Sequence, residues 1–150
     1  MSLVVLLDSG PLGMVTNPRA SFANAKCNKW LEDLLIKSVK VVIPEIADYE
    51  IRRELLRANK TLGLARLNAL KARLDYLPIT TEIMLQAAQF WAQARQMGKP
   101  TASDPALDGD VILAAQSYSL SILGYNAVIA TTNVAHLSLF VKAQLWDTIT

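Results

Sequence analysis

The chain has one cysteine and one histidine, and each scarcity removes a class of chemistry. Cys27 alone can form no internal disulfide and supply no cysteine metal cluster, so it reads as a small buried hydrophobe. A serine or cysteine triad needs a histidine beside its nucleophile. Cys27 falls in an apparent helix, and His136, in a short turn, reads more readily as structural than as a catalytic base. No apolar run nears the ~18 residues that cross a bilayer, and the first residues show neither a basic n-region nor a cleavage site. A cytoplasmic protein without membrane contact is expected. An excess of one charge is missing too. A net charge of +2 gives no strong nucleic-acid footprint, although local basic patches fit within it. Gly-Lys-Ser/Thr does not occur, which excludes a Walker phosphate loop.

What is present is enough apolar material for a real core. Hydrophobic residues make up 52% and charged residues 19%, which excludes a disordered chain. At 150 residues the simplest organisation is one domain over 1–150, with no internal repeat and no low-complexity tract.

Three short β-rich runs stand out. Ser2 to Leu7 and Val39 to Ile43 are continuous and apolar, as is Asn126 to Thr132, which suits strands buried on both faces. Between them the spacing predicts helices over Ala23–Ser38, from Pro44 through the fifties, Thr61–Leu74 and Glu82–Met97. The helix from Glu82 is expected to face inward with Met84, Ala87, Ala88 and Trp91, and to stop at Gly98. Thr16–Ala20 and Lys99–Leu107 read as loops, with Asp104 or Asp108 as the start of the next helix. Tyr76–Thr80 reads as a connection or strand, and Gln144–Thr148 as a last edge strand. Strand and helix alternate throughout, so the expected architecture is a three-layer α/β/α sandwich around a parallel sheet.

The acids then become informative. Asp8 follows the first run, at the strand end where open α/β sheets place their ligand sites. In Asp-Ser-Gly-Pro it is equally a turn former. Asp108 and Asp110 precede the apolar run Val111–Ala115, where an acid is either a cap or a group projecting into a cleft. Glu45, Asp48 and Glu50 share a helix but diverge: at ~100° per residue, Glu50 lies about 160° from Asp48 and about 140° from Glu45. One acid at most can face a given site. Arg53, Glu54 and Arg57 share Glu50's face, either as a solvated salt-bridged stripe or as arginines placed to hold a phosphate or a partner's carboxylate. Asp8, Glu50 and Asp110, with Asn133 after the last long strand, make an oxygen-lined pocket in which a divalent cation would relieve the repulsion. Hard oxygen ligands suit Mg²⁺ or Mn²⁺, and phosphodiester hydrolysis is the reaction that most needs them. A phosphatase of the haloacid dehalogenase kind would need a second Asp where Gly10 stands.

With these residues in place the chain resembles the PIN domain family, the nuclease fold of VapC-type toxins, over nearly its whole length. Leu6-Leu7-Asp8-Ser9 looks like the family's first-strand acid, and Ile43 to Ile51 is similar to the strand-to-helix segment whose acid is Glu50. Asp110-Val111-Ile112-Leu113-Ala114-Ala115 matches an Asp followed by an apolar, double-Ala helix. Ile129-Ala130-Thr131-Thr132-Asn133 resembles the closing strand, with Asn133 where Asp or Asn stands. The resemblance implies an Mg²⁺- or Mn²⁺-dependent ribonuclease, often a homodimer and often inhibited by an antitoxin. Asp8, Glu50 and Asp110 would be the metal ligands and catalytic acids. Asp108, Thr131, Asn133 and Arg53 would be accessory, with Thr131 positioning a carboxylate or water. Asn133 carries one charge less than the all-acidic form, which implies weaker metal binding or a single metal. Leu137 stands where an aromatic is common and reads as packing. The apolar stripe Leu64, Leu67, Leu70 and Leu74 suggests a dimer or antitoxin surface. A second reading is a PIN-like domain that binds RNA or a protein partner without cutting.

Overall fold

The computed structural model describes residues 2–98 and 104–150. Its centre is a parallel sheet of five strands: β1 (Leu3–Leu7), β2 (Lys40–Pro44), β3 (Asp75–Leu77), β4 (Asn126–Thr131) and β5 (Ala143–Leu145), in the order β3-β2-β1-β4-β5. β1 is central because it can be buried on both faces. Val5 and Leu7 enter one apolar cluster and Val4 and Leu6 the other, all fully buried. The edge strands β3 and β5 have three residues each, which limits the unpaired backbone they present.

Among the described residues seven helices complete the three layers: α1 (Ser9–Thr16), α2 (Phe22–Ile36), α3 (Glu45–Arg57), α4 (Thr61–Arg73), α5 (Thr81–Gln96), α6 (Asp104–Ile122) and α7 (Val134–Leu137). α1 and α2 pack on one side with the apolar face of α4, while α5 packs on α6 on the other. Among the described residues no helix is long and apolar enough to cross a membrane. This is the expected α/β/α architecture, with several local corrections.

The Asp-Ser-Gly-Pro segment is the start of α1, not a turn. Pro11 sits in the first helical turn, where an N–H would have no intrahelical partner anyway. Pro44 ends β2 and flanks α3 instead of occupying its first turn. On α5 the inward stripe is Ile83, Ala87, Phe90 and Ala94. Met84, Ala88 and Trp91 face out, because the helix has two apolar stripes and packing on α6 uses the other one. Gly98 ends that segment with a positive φ, as expected of a helix stop. Ala106 and Leu107 are helical. The rest of the anticipated loop, residues 99–103, and the proposed cap at Asp104 lie outside the described residues and side chains. The predicted last strand ends at Leu145, and Trp146–Thr148 form a single 3-10 turn with Trp146 buried against Trp30.

The leucine stripe of α4 faces largely into the chain's own core. Leu67 and Leu74 are buried in the chain's own core and Leu70 packs against it. Gly63 allows this, since a Cβ there would stand 2.8 Å from Leu55 Cδ2 and would push α4 away from α3.

Candidate active site

Three carboxylates meet at the carboxyl edge of the sheet, where β1 lies between β2 and β4 and successive connections diverge to opposite faces. Asp8 leaves β1 and caps α1. Its Oδ1 accepts from Ser9 N at 2.7 Å, and its Oδ2 accepts from Thr131 Oγ1 at 2.7 Å. The cap and the site acid are therefore one side chain. Thr131, fully buried at the end of β4, also accepts from Asn133 N at 2.9 Å, so one hydroxyl ties the β4 turn to Asp8.

Glu50 comes from the second turn of α3 and Asp110 from the second turn of α6. Both are half-buried, and both hold their protons more tightly than ordinary carboxylates. Burial raises Glu50, followed by the charge of Asp8; Arg53 opposes this and Asp110 adds to it. Burial pushes Asp110 up to about 6, while His136 pulls it down and Asp8 pushes it further. Gly109 makes this approach possible: a Cβ on it would stand 3.0 Å from Glu50 Oε2.

His136 belongs to this site, contrary to its reading as structural. Its Nδ1 lies 3.5 Å from Asp110 Oδ2 and 3.1 Å from Asn133 Nδ2. The sequence carried one faint signal, Asn133 and His136 three residues apart at the start of a short helix, which puts them on one face. Leu137 is buried, as its packing role requires.

The other candidates fall elsewhere. Asp108 is exposed and lines a shallow groove with Met84, Trp91 and Val111, on the side of α6 turned toward α5. Arg53 is exposed on α3, with its guanidinium 5.0 Å from the centre of the Tyr49 ring. Glu45 and Asp48, the acids of α3 ahead of Glu50, point away from it, as the helical angles required. Asp48 is buried, bonded to Arg52 Nε at 2.9 Å and to Tyr76 Oη at 2.8 Å. Glu45 accepts from Ile79 N at 2.7 Å. Gln116, which follows the double Ala of α6, was not anticipated. Fully buried, it accepts from Ile46 N at 3.3 Å and donates to Leu77 O at 2.7 Å, bracing α6 against α3 and β3.

The donor set of the site is oxygen, apart from one imidazole, and this suits a hard divalent cation. The raised proton affinities of Glu50 and Asp110 come first from burial and then from neighbouring carboxylate charge, and a cation would answer both. Among the described residues, no group of three or more His, Cys, Asp or Glu stands in an arrangement that could hold a metal ion. It is the chemistry of the donors, and not their placement, that fits such an ion.

No family model matches the sequence, and no curated protein does. Solved structures do. A chain of VapBC2 from Rickettsia felis, bound to a DNA fragment from its promoter, superposes with a TM-score of 0.71 at 14% identity, over 94% of this chain and 97% of that one. VapBC-1 from nontypeable Haemophilus influenzae gives 0.65 at 18% identity, over 96% and 98%. DNA-bound VapBC from Salmonella typhimurium gives 0.67 at 19% identity, also over 96% and 98%. At such identities the likeness speaks for the fold: this chain has the PIN-like α/β/α fold found in VapBC assemblies.

Proposed function

We propose that the chain is a metal-dependent ribonuclease that hydrolyses phosphodiester bonds, working as the toxin of a toxin–antitoxin pair. The observation that carries this is the placement of Asp8, Glu50 and Asp110, from three separate elements at the carboxyl edge of a parallel sheet, near enough for their charges to act on one another. The VapBC assemblies that share the fold favour an antitoxin as partner. The same resemblance favours a homodimer.

Asp8, Glu50 and Asp110 would hold a Mg²⁺ or Mn²⁺ ion, which when bound supplies positive charge for the phosphoryl oxygens and leaving alkoxide and lowers the pKa of an attacking water. The chain's own residues prepare that place. Thr131 and Ser9 N fix both oxygens of Asp8, so that carboxylate is oriented before any ligand arrives. His136 stands beside Asp110 and limits the directions in which it turns, and Asn133 in turn holds His136. Half-burial keeps bulk water from screening the three charges, so each is felt more strongly by a substrate phosphate or a cation.

The test is cleavage of structured and single-stranded RNA with Mg²⁺, Mn²⁺ or EDTA, comparing wild type with Asp110→Asn. Cutting that needs the metal and is lost in the variant is the expected result. Cutting that persists in EDTA or in Asp110→Asn overturns the proposal. The open arrangement of the acids favours a second reading, a PIN-like domain that binds RNA or a protein without turnover. It predicts binding indifferent to chelation and no cutting with either metal.

A further inference from the structure

A cavity of about 760 Å³ opens between the end of α1, the last turns of α3 and the start of α4. It is separate from the carboxylates but built on two of the same helices. α1 is capped by Asp8 at one end and by Asn17, which lines the cavity, at the other; α3 carries Glu50 and, seven residues on, Arg57 in the cavity wall. The polar part of the lining is basic. Arg19, Arg57 and Lys60 contribute three positive charges against the one of Glu54, which pairs with Arg57 at 2.9 Å on the exposed side. Among the described residues the side chains of Arg19 and Lys60 have no hydrogen-bond or ion-pair partner. Arg66 Nη1 donates to Asn17 O at 2.8 Å and holds the lip of the cavity in place. The first turn of α4, which also lines the cavity, has no side-chain cap, so its free N–H groups add potential of the same sign.

We propose that this cavity holds the sugar–phosphate backbone of the RNA that enters the carboxylate site, gripping phosphates a few nucleotides from the bond that is cut. The inference rests on the ribonuclease reading above. Seven residues of helix put Arg57 ~10 Å beyond Glu50. That is within reach of phosphates neighbouring the bond that is cut. Arg53 and Glu54 lie between them on the same stripe, with Glu54 paired to Arg57, so the two arginines outnumber the one acid beyond Glu50. A protein of net charge +2 thus concentrates positive charge beside an acidic centre that would otherwise repel its polyanionic substrate.

The experiment measures binding of a single-stranded RNA in EDTA, where no cutting is expected, across a series of salt concentrations. Wild type is compared with the Arg19→Ala, Arg57→Ala, Lys60→Ala triple variant. All three side chains are exposed, and unchanged circular dichroism and Tm confirm the fold. With three fewer cations facing the phosphates, the slope of log Kd against log salt concentration should fall by about 2, at ~0.7 per phosphate neutralised on a single strand. An unchanged slope overturns the proposal, and does so without touching the ribonuclease reading if wild type still cuts with metal. An unchanged RNA slope with weakened binding of a poly-glutamate peptide also overturns it, and makes the cavity a protein-docking site. A wild type that binds in this way but cuts under no condition removes the nuclease and leaves the backbone site standing.

Discussion

Gly109 and Glu50 are in contact across two helices, with the space for a Cβ on Gly109 ending 3.0 Å from Glu50 Oε2. Gly109→Ala therefore separates stability from activity. Alanine is favoured over glycine inside a helix by up to ~1 kcal/mol, so Tm is expected to stay level or rise. The methyl group makes the Glu50 carboxylate give by a few tenths of an ångström, which is expected to lower the rate severalfold. Thermal unfolding and RNA cleavage on the same preparation check this; full activity would mean that Glu50 has no part in the reaction.

Asp110 titrates near 6 in the folded chain, above its ordinary value of 3.8. A raised carboxyl pKa means that the native state holds a proton the unfolded state has released. Stability from this group is complete below 3.8 and is lost as pH rises toward 6; Glu50, raised for related reasons, acts in the same sense. Without metal, Asp110→Asn should match wild type at pH 4 and exceed it in Tm at pH 7. A difference independent of pH would show that Asp110 is not perturbed.

His136 lowers the proton affinity of Asp110, by charge and by hydrogen bonding. His136→Ala should raise Asp110 further and move the acidic limb of the pH–rate profile upward. A profile that keeps its position, with only its height changed, would mean that His136 acts on something other than Asp110.

Asp48 is an acid of α3 that serves the fold. Its carboxylate holds Arg52 and Tyr76, and Tyr76 is in turn pushed above its usual range, first by burial and then by that bond. Asp48→Ala is expected to cost about 2 kcal/mol, the worth of hydrogen bonds to a charged group. Mn²⁺ affinity should be unaffected; a drop in affinity at unchanged stability would place Asp48 in the site.

The elements legible in the sequence are those whose pattern has one interpretation. Val4 to Leu7 is apolar at every position, so burial on both faces followed directly. The angle between Glu50 and its neighbours followed from helical geometry alone, and Glu45, Asp48 and Glu50 do diverge. α1 was hidden because glycine and proline in sequence usually mark a turn, and only the cap formed by Asp8 makes them a first helical turn. Met84 and Trp91 sit on one of two competing stripes, and nothing local decides which one meets α6. His136 depends on where a four-residue helix lands relative to an acid 26 positions earlier, which no local periodicity encodes.

The hydrogen bond from Thr131 to Asp8 spans 123 positions of the chain. β1 remains an unpaired edge on that side until β4 has been made, and Asp8 until then has only the N–H of its neighbour Ser9. During synthesis the carboxylates are thus assembled late, when the residues of β4 have left the ribosome and can pair with β1. A chain with the proposed activity would remain harmless to the message encoding it for most of its own translation.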